Sequence, residues 1–218
     1  MKLLLTSGGV SNDSIAQGLF DLVGKKSEDT TLVFVPTAAN VESGDKSWLI
    51  DDLIDLKKLN LKSIDIIDIS TVPMAIWKAR FEGADVLYFE GGNTYYLMEW
   101  INKSGLALIL PELLKEKVYV GVSAGSMVLS KNLSAEISQE IYGEDFDKTE
   151  DIPALNLVDF YFLPHMNPPY LEISKVDDLK EKFGAANKKV YALDDNSALK
   201  VVDGKVEVIS EGEWLLID

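Results

Sequence analysis

Cysteine is absent from the chain, which removes disulfides, thiolate zinc sites and a cysteine nucleophile. Histidine occurs once, as His165, and arginine once, as Arg80. Any reaction that needs an imidazole base therefore has one candidate. Cationic side chains are outnumbered, 21 Lys and Arg against 36 Asp and Glu, for a net charge of -15. That balance argues against binding nucleic acid through its phosphates, which takes clustered Lys and Arg. No run of about 18 apolar residues is present, so no membrane span is expected. The N-terminal apolar run Leu3-Leu4-Leu5 breaks at Ser7-Gly8-Gly9, too soon for a signal peptide and well suited to a first strand. A cytoplasmic protein is the expectation.

A 47% hydrophobic share over 218 residues is enough to build a large core. Short apolar, β-branched runs alternate with segments of helical period. Strands are expected at Lys2 to Thr6, Thr31 to Pro36, Ser63 to Ile69, Val86 to Glu90, Val118 to Gly121, Phe160 to Leu163 and Val190 to Leu193. Helices are expected at Ser11 to Val23, Ser47 to Leu59, Met74 to Glu82, Thr94 to Ile101 and Ala124 to Ser130. This alternation predicts an α/β fold, a mostly parallel sheet with helices on both faces. Several strands are continuously apolar, as a sheet covered on both sides requires. Near the end, Asp203-Gly204 between Ser197 to Val202 and Lys205 to Ile209 predicts a β-hairpin with a type I′ turn. No linker or repeat interrupts the pattern, so one domain over residues 1–218 is expected. The polar, acidic stretch from Ser134 to Pro153 is expected to be a surface excursion near the site.

The most informative stretch is Gly121-Val122-Ser123-Ala124-Gly125, fed by the apolar run Val118-Tyr119-Val120. It fits the G-x-S-x-G elbow, in which a strand turns sharply into a helix and presents a serine at the apex. A serine hydroxyl is a weak nucleophile unless a base lies within hydrogen-bond reach and a third group orients that base. His165 closes an apolar strand ahead of a Pro-Pro turn, and α/β sheets place function at strand ends. Attack on a carbonyl also builds an oxyanion that wants two backbone N–H donors. Ala124, following the serine, offers one. The loop Phe89-Glu90-Gly91-Gly92-Asn93-Thr94 is the candidate for the other.

Four blocks in order resemble peptidase family S51, the serine peptidases that include dipeptidase E and cyanophycinase. They are Leu5-Thr6-Ser7-Gly8-Gly9, Phe89-Glu90-Gly91-Gly92-Asn93-Thr94, Gly121-Val122-Ser123-Ala124-Gly125-Ser126 and Leu163-Pro164-His165. A fifth, Ala192-Leu193-Asp194-Asp195-Asn196-Ser197, matches the family's late acidic segment. The resemblance implies a flavodoxin-like sheet, similar to class I glutamine amidotransferases. It implies a serine hydrolase of short peptides that needs no metal or other cofactor. Ser123 would be the nucleophile, His165 the base, and Gly92 and Ala124 the oxyanion donors.

In the family the third triad member lies on the loop between serine and histidine, which points to Glu136, with Glu140 next. Asn167, two residues past the histidine, and Asp195 compete for the role. Arg80 is expected on a helix surface, leaving Lys175 as a point charge for an acidic group. Tyr95, Tyr96, Tyr161 and Tyr170 are candidates for pocket walls or for core. The expected partner is a small peptide, and the sequence leaves a homodimer open. Two alternatives remain: an esterase sharing the elbow, or a peptide- or small-molecule-binding protein of the same fold without a working triad.

Overall fold

In the computed structural model the described residues are 1–133, 152–166 and 189–218. Their centre is a seven-stranded sheet. Five of its strands are parallel: β1 (Lys2–Thr6), β2 (Thr31–Val35), β3 (Ser63–Ile66), β4 (Val86–Phe89) and β5 (Val118–Val122). The hairpin of β10 (Ser197–Val202) and β11 (Lys205–Ser210) joins β1 antiparallel, giving the order β11-β10-β1-β5-β4-β2-β3. Asp203 and Gly204 at the hairpin tip have φ of 49° and 81°, the positive values a type I′ turn requires.

Successive residues on these strands point to opposite faces, and both faces are apolar. Leu3, Leu5, Val33, Val35, Leu87, Phe89 and Tyr119 enter one core cluster. Leu4, Leu32, Phe34, Val86, Tyr88, Val118 and Val120 enter the other. The second face is covered by α1 (Asp13–Val23) and α2 (Ser47–Lys58), which bury Ile15, Leu19, Leu22 and Leu56 there. The first is covered by α3 (Met74–Gly83), α4 (Thr94–Lys103), α5 (Leu106–Leu113) and the short α6 (Ala124–Met127). Local chemistry fixes the helix ends. Asn12 caps α1 by accepting the Ile15 N–H, and Asn93 caps α4 by accepting the Tyr96 N–H. Gly24 ends α1 in the left-handed region at φ 72°.

A smaller three-stranded sheet has the order β12-β9-β8. Here β8 (Tyr161–Leu163) and β9 (Val190–Leu193) run parallel, and β12 (Trp214–Ile217) pairs antiparallel with β9. A two-residue pairing of β6 (Asn132–Leu133) with β7 (Ile152–Pro153) brackets the stretch expected as a surface excursion. Apart from Ile152 and Pro153, that stretch lies outside the described residues. Among the described residues no helix is long and apolar enough to cross a membrane.

The sequence pattern finds these elements but not all of their ends. Strand β3 stops at Ile66 because Asp68 turns the chain, accepting the N–H and hydroxyl of Ser70. Helix α6 stops at Met127 because the next turn tightens into Leu129 N–H to Ser126 and Ser130 N–H to Met127 bonds.

Candidate functional site

The candidate site residues follow the carboxyl ends of five strands, three in the large sheet and two in the small one. Ser7 follows β1, Gly91 follows β4 by two residues, and Ser123 follows β5 directly. His165 and Asp195 each stand two residues past the ends of the neighbouring strands β8 and β9.

Ser123 occupies the elbow with φ 46° and ψ -108°, a region costly for a residue with a side chain. The surrounding bonds hold it there. Its N–H donates to the Thr6 carbonyl at 3.0 Å, and its carbonyl accepts from the N–H groups of Ser126 and Met127. The Ser126 hydroxyl lies 2.8 Å from the Gly121 carbonyl, and the Tyr119 hydroxyl donates to the Gly125 carbonyl at 2.7 Å. The flanking glycines are demanded by space. A Cβ on Gly121 would fall 2.6 Å from Gly125 backbone, and one on Gly125 would fall 2.1 Å from the Phe89 carbonyl oxygen.

His165 Nε2 lies 3.0 Å from Ser123 Oγ, and its Nδ1 lies 2.6 Å from Asp195 Oδ1. With the Nδ1 proton directed at the carboxylate, Nε2 is left as an acceptor for the serine hydroxyl. His165 itself has a positive φ of 58°, and its backbone N–H donates to Ser7 Oγ at 2.7 Å. Ser7 Oγ in turn donates to Asp195 Oδ1 at 2.7 Å. Ser11 Oγ donates to the Asp195 carbonyl and Asn12 to the Asn196 carbonyl, so the start of α1 fixes the acidic loop. Burial works to raise the Asp195 pKa, but the His165 hydrogen bond and charge and the Ser7 hydroxyl outweigh it and hold the carboxyl below its ordinary range.

The loop after β4 packs against the elbow. A Cβ on Gly91 would lie 3.3 Å from Ser123 Cβ. Gly92 has φ 126° and lies against the backbone of Ala38 and Ala39, too close for any side chain. Among the described residues neither the Gly92 nor the Ala124 backbone N–H is taken up by an acceptor. A cavity of about 660 Å³ opens beside these groups, bordered by Ser123, His165, Asp195, Gly91, Gly92 and Thr94 among others.

Ser123, His165, Gly92 and Ala124 are thus brought together. Glu136, the acid favoured by position in the chain, lies outside the described residues, as do Glu140, Asn167, Lys175 and Tyr170. Among the described residues the carboxylate in contact with Nδ1 is that of Asp195. In the sequence Ser7 stands out only as part of the block Leu5-Thr6-Ser7-Gly8-Gly9, its place directly after an apolar strand being the available signal. Arg80 lies on α3 and pairs with Asp65 at 3.3 Å, away from the cavity. Tyr95 is buried in the core, and among the described residues Trp48 is the aromatic that borders the cavity. Among the described residues no group of three or more His, Asp or Glu could hold a metal ion.

Comparison with known proteins agrees with this architecture. The sequence profile of peptidase family S51 matches residues 3–209. An uncharacterized peptidase of Pasteurella multocida is 31% identical over 153 residues, covering 68% of this chain and 71% of its own length. An uncharacterized peptidase of Listeria monocytogenes is 30% identical over 193 residues, covering 83% of this chain and 85% of its own. A crystal structure from Listeria monocytogenes EGD-e, assigned to peptidase E, superposes with a TM-score of 0.77 at 25% identity, covering 97% of this chain and 98% of that one. A peptidase from an acI-B1 Actinobacterium, 18% identical with a TM-score of 0.63, shares the fold across 99% of this chain and 93% of its own.

Proposed function

The chain belongs to peptidase family S51, and on that premise we propose a serine-type hydrolase that cleaves short peptides through an acyl-enzyme. The observation that carries this reading is the line from Ser123 Oγ to His165 Nε2 at 3.0 Å and from Nδ1 to Asp195 at 2.6 Å.

Ser123 Oγ attacks the scissile carbonyl while Nε2 of His165 takes its proton. The carbonyl oxygen becomes an oxyanion, accepted by the Gly92 and Ala124 N–H groups. One such preorganised donor contributes about 3 kcal/mol to lowering a barrier of this kind. The imidazolium then gives its proton to the leaving amine, and the acyl group stays on Ser123. Water, activated by the same imidazole, attacks the ester and releases the acid. In this scheme Asp195, rather than Glu136, holds the imidazole tautomer and balances its charge. Its depressed pKa favours that role, because the group stays ionised while the histidine cycles.

A fluorophosphonate probe tests the proposal. The wild type is expected to be labelled and Ser123→Ala is not. Turnover of a dipeptide panel with little turnover of short p-nitrophenyl esters is expected; the reverse preference would make the chain an esterase. Absence of labelling in the folded wild type would leave a binding protein and end the hydrolase reading.

A further inference from the structure

The turn that carries Asp195 is held from behind by a second carboxylate. Asp194 directly follows β9 and is 1% exposed. Its carbonyl accepts the Ser197 N–H at 3.2 Å, so Asp194 to Ser197 form a turn with Asp195 at its first central position. Across that turn Asp194 Oδ1 accepts the Asn196 N–H at 3.1 Å, a side-chain ring that closes over Asp195. Oδ1 also accepts the Ser197 hydroxyl at 2.6 Å, and Oδ2 accepts the Glu213 N–H at 2.6 Å. The Asp194 N–H donates to the Glu213 carbonyl at 3.1 Å.

These bonds lie where the two sheets meet. Ser197 opens β10 of the large sheet, and Glu213 immediately precedes β12 of the small one. The fit around the carboxylate is close: a Cβ on Gly212, in the exposed turn ahead of β12, would collide with all three atoms of it. The three groups that meet Asp194 are donors, so both of its oxygens must accept. Asparagine has the same shape but would aim its NH2 at the Glu213 N–H or at the Asn196 N–H, leaving one backbone donor without its acceptor. Asp195 itself is poorly confined by packing. Its side chain is 55% exposed, yet it reaches His165 Nδ1 at 2.6 Å. Where that carboxylate stands therefore depends on how the backbone beneath it is held.

We propose that Asp194 is a positioning residue: through the 194–197 turn it sets the contact of Asp195 with His165 Nδ1, and with it the imidazole tautomer that faces Ser123. Asp194 does not border the cavity and acts through Asp195 alone. The consequence for reaction rate rests on the serine hydrolase reading above; the consequence for the imidazole does not.

The single histidine makes the test direct, because NMR of protein carrying isotope-labelled histidine shows one imidazole, that of His165. At alkaline pH the wild type is expected to hold the proton on Nδ1, and Asp195→Asn, the reference for a lost contact, to move it toward Nε2. Asp194→Asn is expected to move it the same way. Gly212→Ala is expected to do so too, by displacing the Asp194 carboxylate from an exposed turn outside the cavity. Both variants are expected to be labelled by a fluorophosphonate about tenfold or more slowly than wild type. Leu22→Ala, which loosens the core under α1, is the control: its melting temperature falls while tautomer and labelling stay native. A native tautomer in either variant once folded, or a tautomer lost equally in Leu22→Ala, overturns the proposal. Failure of both variants to fold would make Asp194 a requirement of the fold rather than of the site, and overturns it as well. A shifted tautomer in protein whose wild type is never labelled would remove the hydrolase and keep the positioning role.

Discussion

Asp195 and His165 meet across two adjacent parallel strands, each two residues beyond its strand end, with Oδ1 2.6 Å from Nδ1. The sheet register brings Leu163 beside Ala192, so the pairing that builds the small sheet also sets the distance between imidazole and carboxylate.

Replacing Asp195 with Asn keeps the size of the side chain but lets an amide N–H face Nδ1, which favours the wrong imidazole tautomer. The turnover number of the peptidase is expected to fall by about 10⁴, measured with a cleaved dipeptide. Glu136→Gln is expected to stay within about threefold of wild type. The opposite ranking would return the acid role to the loop between serine and histidine.

Ser7→Ala removes one oxygen that accepts the His165 N–H and donates to Asp195. Bonds of this charge-assisted kind contribute about 1.5–3 kcal/mol, so kcat/KM is expected to fall about ten- to hundredfold. The acid limb of the pH–rate profile is expected to move as well, since Ser7 helps keep the Asp195 carboxyl ionised. A loss of rate with an unmoved profile would make Ser7 merely structural.

Gly125→Ala places a methyl 2.1 Å from the Phe89 carbonyl oxygen, a backbone atom that cannot rotate away. Destabilisation of about 1–3 kcal/mol is expected, read as a lower melting temperature, together with loss of fluorophosphonate labelling as the elbow shifts. Full labelling would show that the turn tolerates the strain.

Asp68 anchors the turn at residues 37–41. Its carboxylate accepts from Thr37, Asn40 and Ser70. Burial tends to raise its pKa, but these bonds prevail and the folded-state value is lowered. A depressed carboxylate stabilises the fold above the unfolded pKa of about 3.9, and that contribution is lost as pH falls through the lower folded value. The melting temperature of Asp68→Asn is therefore expected to decline less than that of wild type between about pH 5 and pH 2. Parallel declines would exclude Asp68 as a contributor.

The parallel sheet could be read because its strands are unbroken apolar runs, such as Val86 to Phe89, bounded by polar helices with caps. Helix α5 could not. Leu106 to Leu113 is apolar at nearly every position and has no 3.6-residue period, and Pro111 argues against a helix. Packing of Leu106 and Leu110 into the core overrides that local signal. Strand β12 was equally hidden, four residues that become a strand only by pairing with β9. At the site, the elbow announced Ser123 and scarcity singled out His165. Asp195 could be named only as one of several acids, because its approach to the imidazole depends on the β8–β9 register, a contact between segments 30 residues apart.

Ser123 hangs from the large sheet, while His165 and Asp195 hang from the small one. Any slip of one sheet over the other would pull Ser123 from His165 before either sheet came apart. Heating or mild denaturant should therefore silence the enzyme while its circular dichroism still looks native.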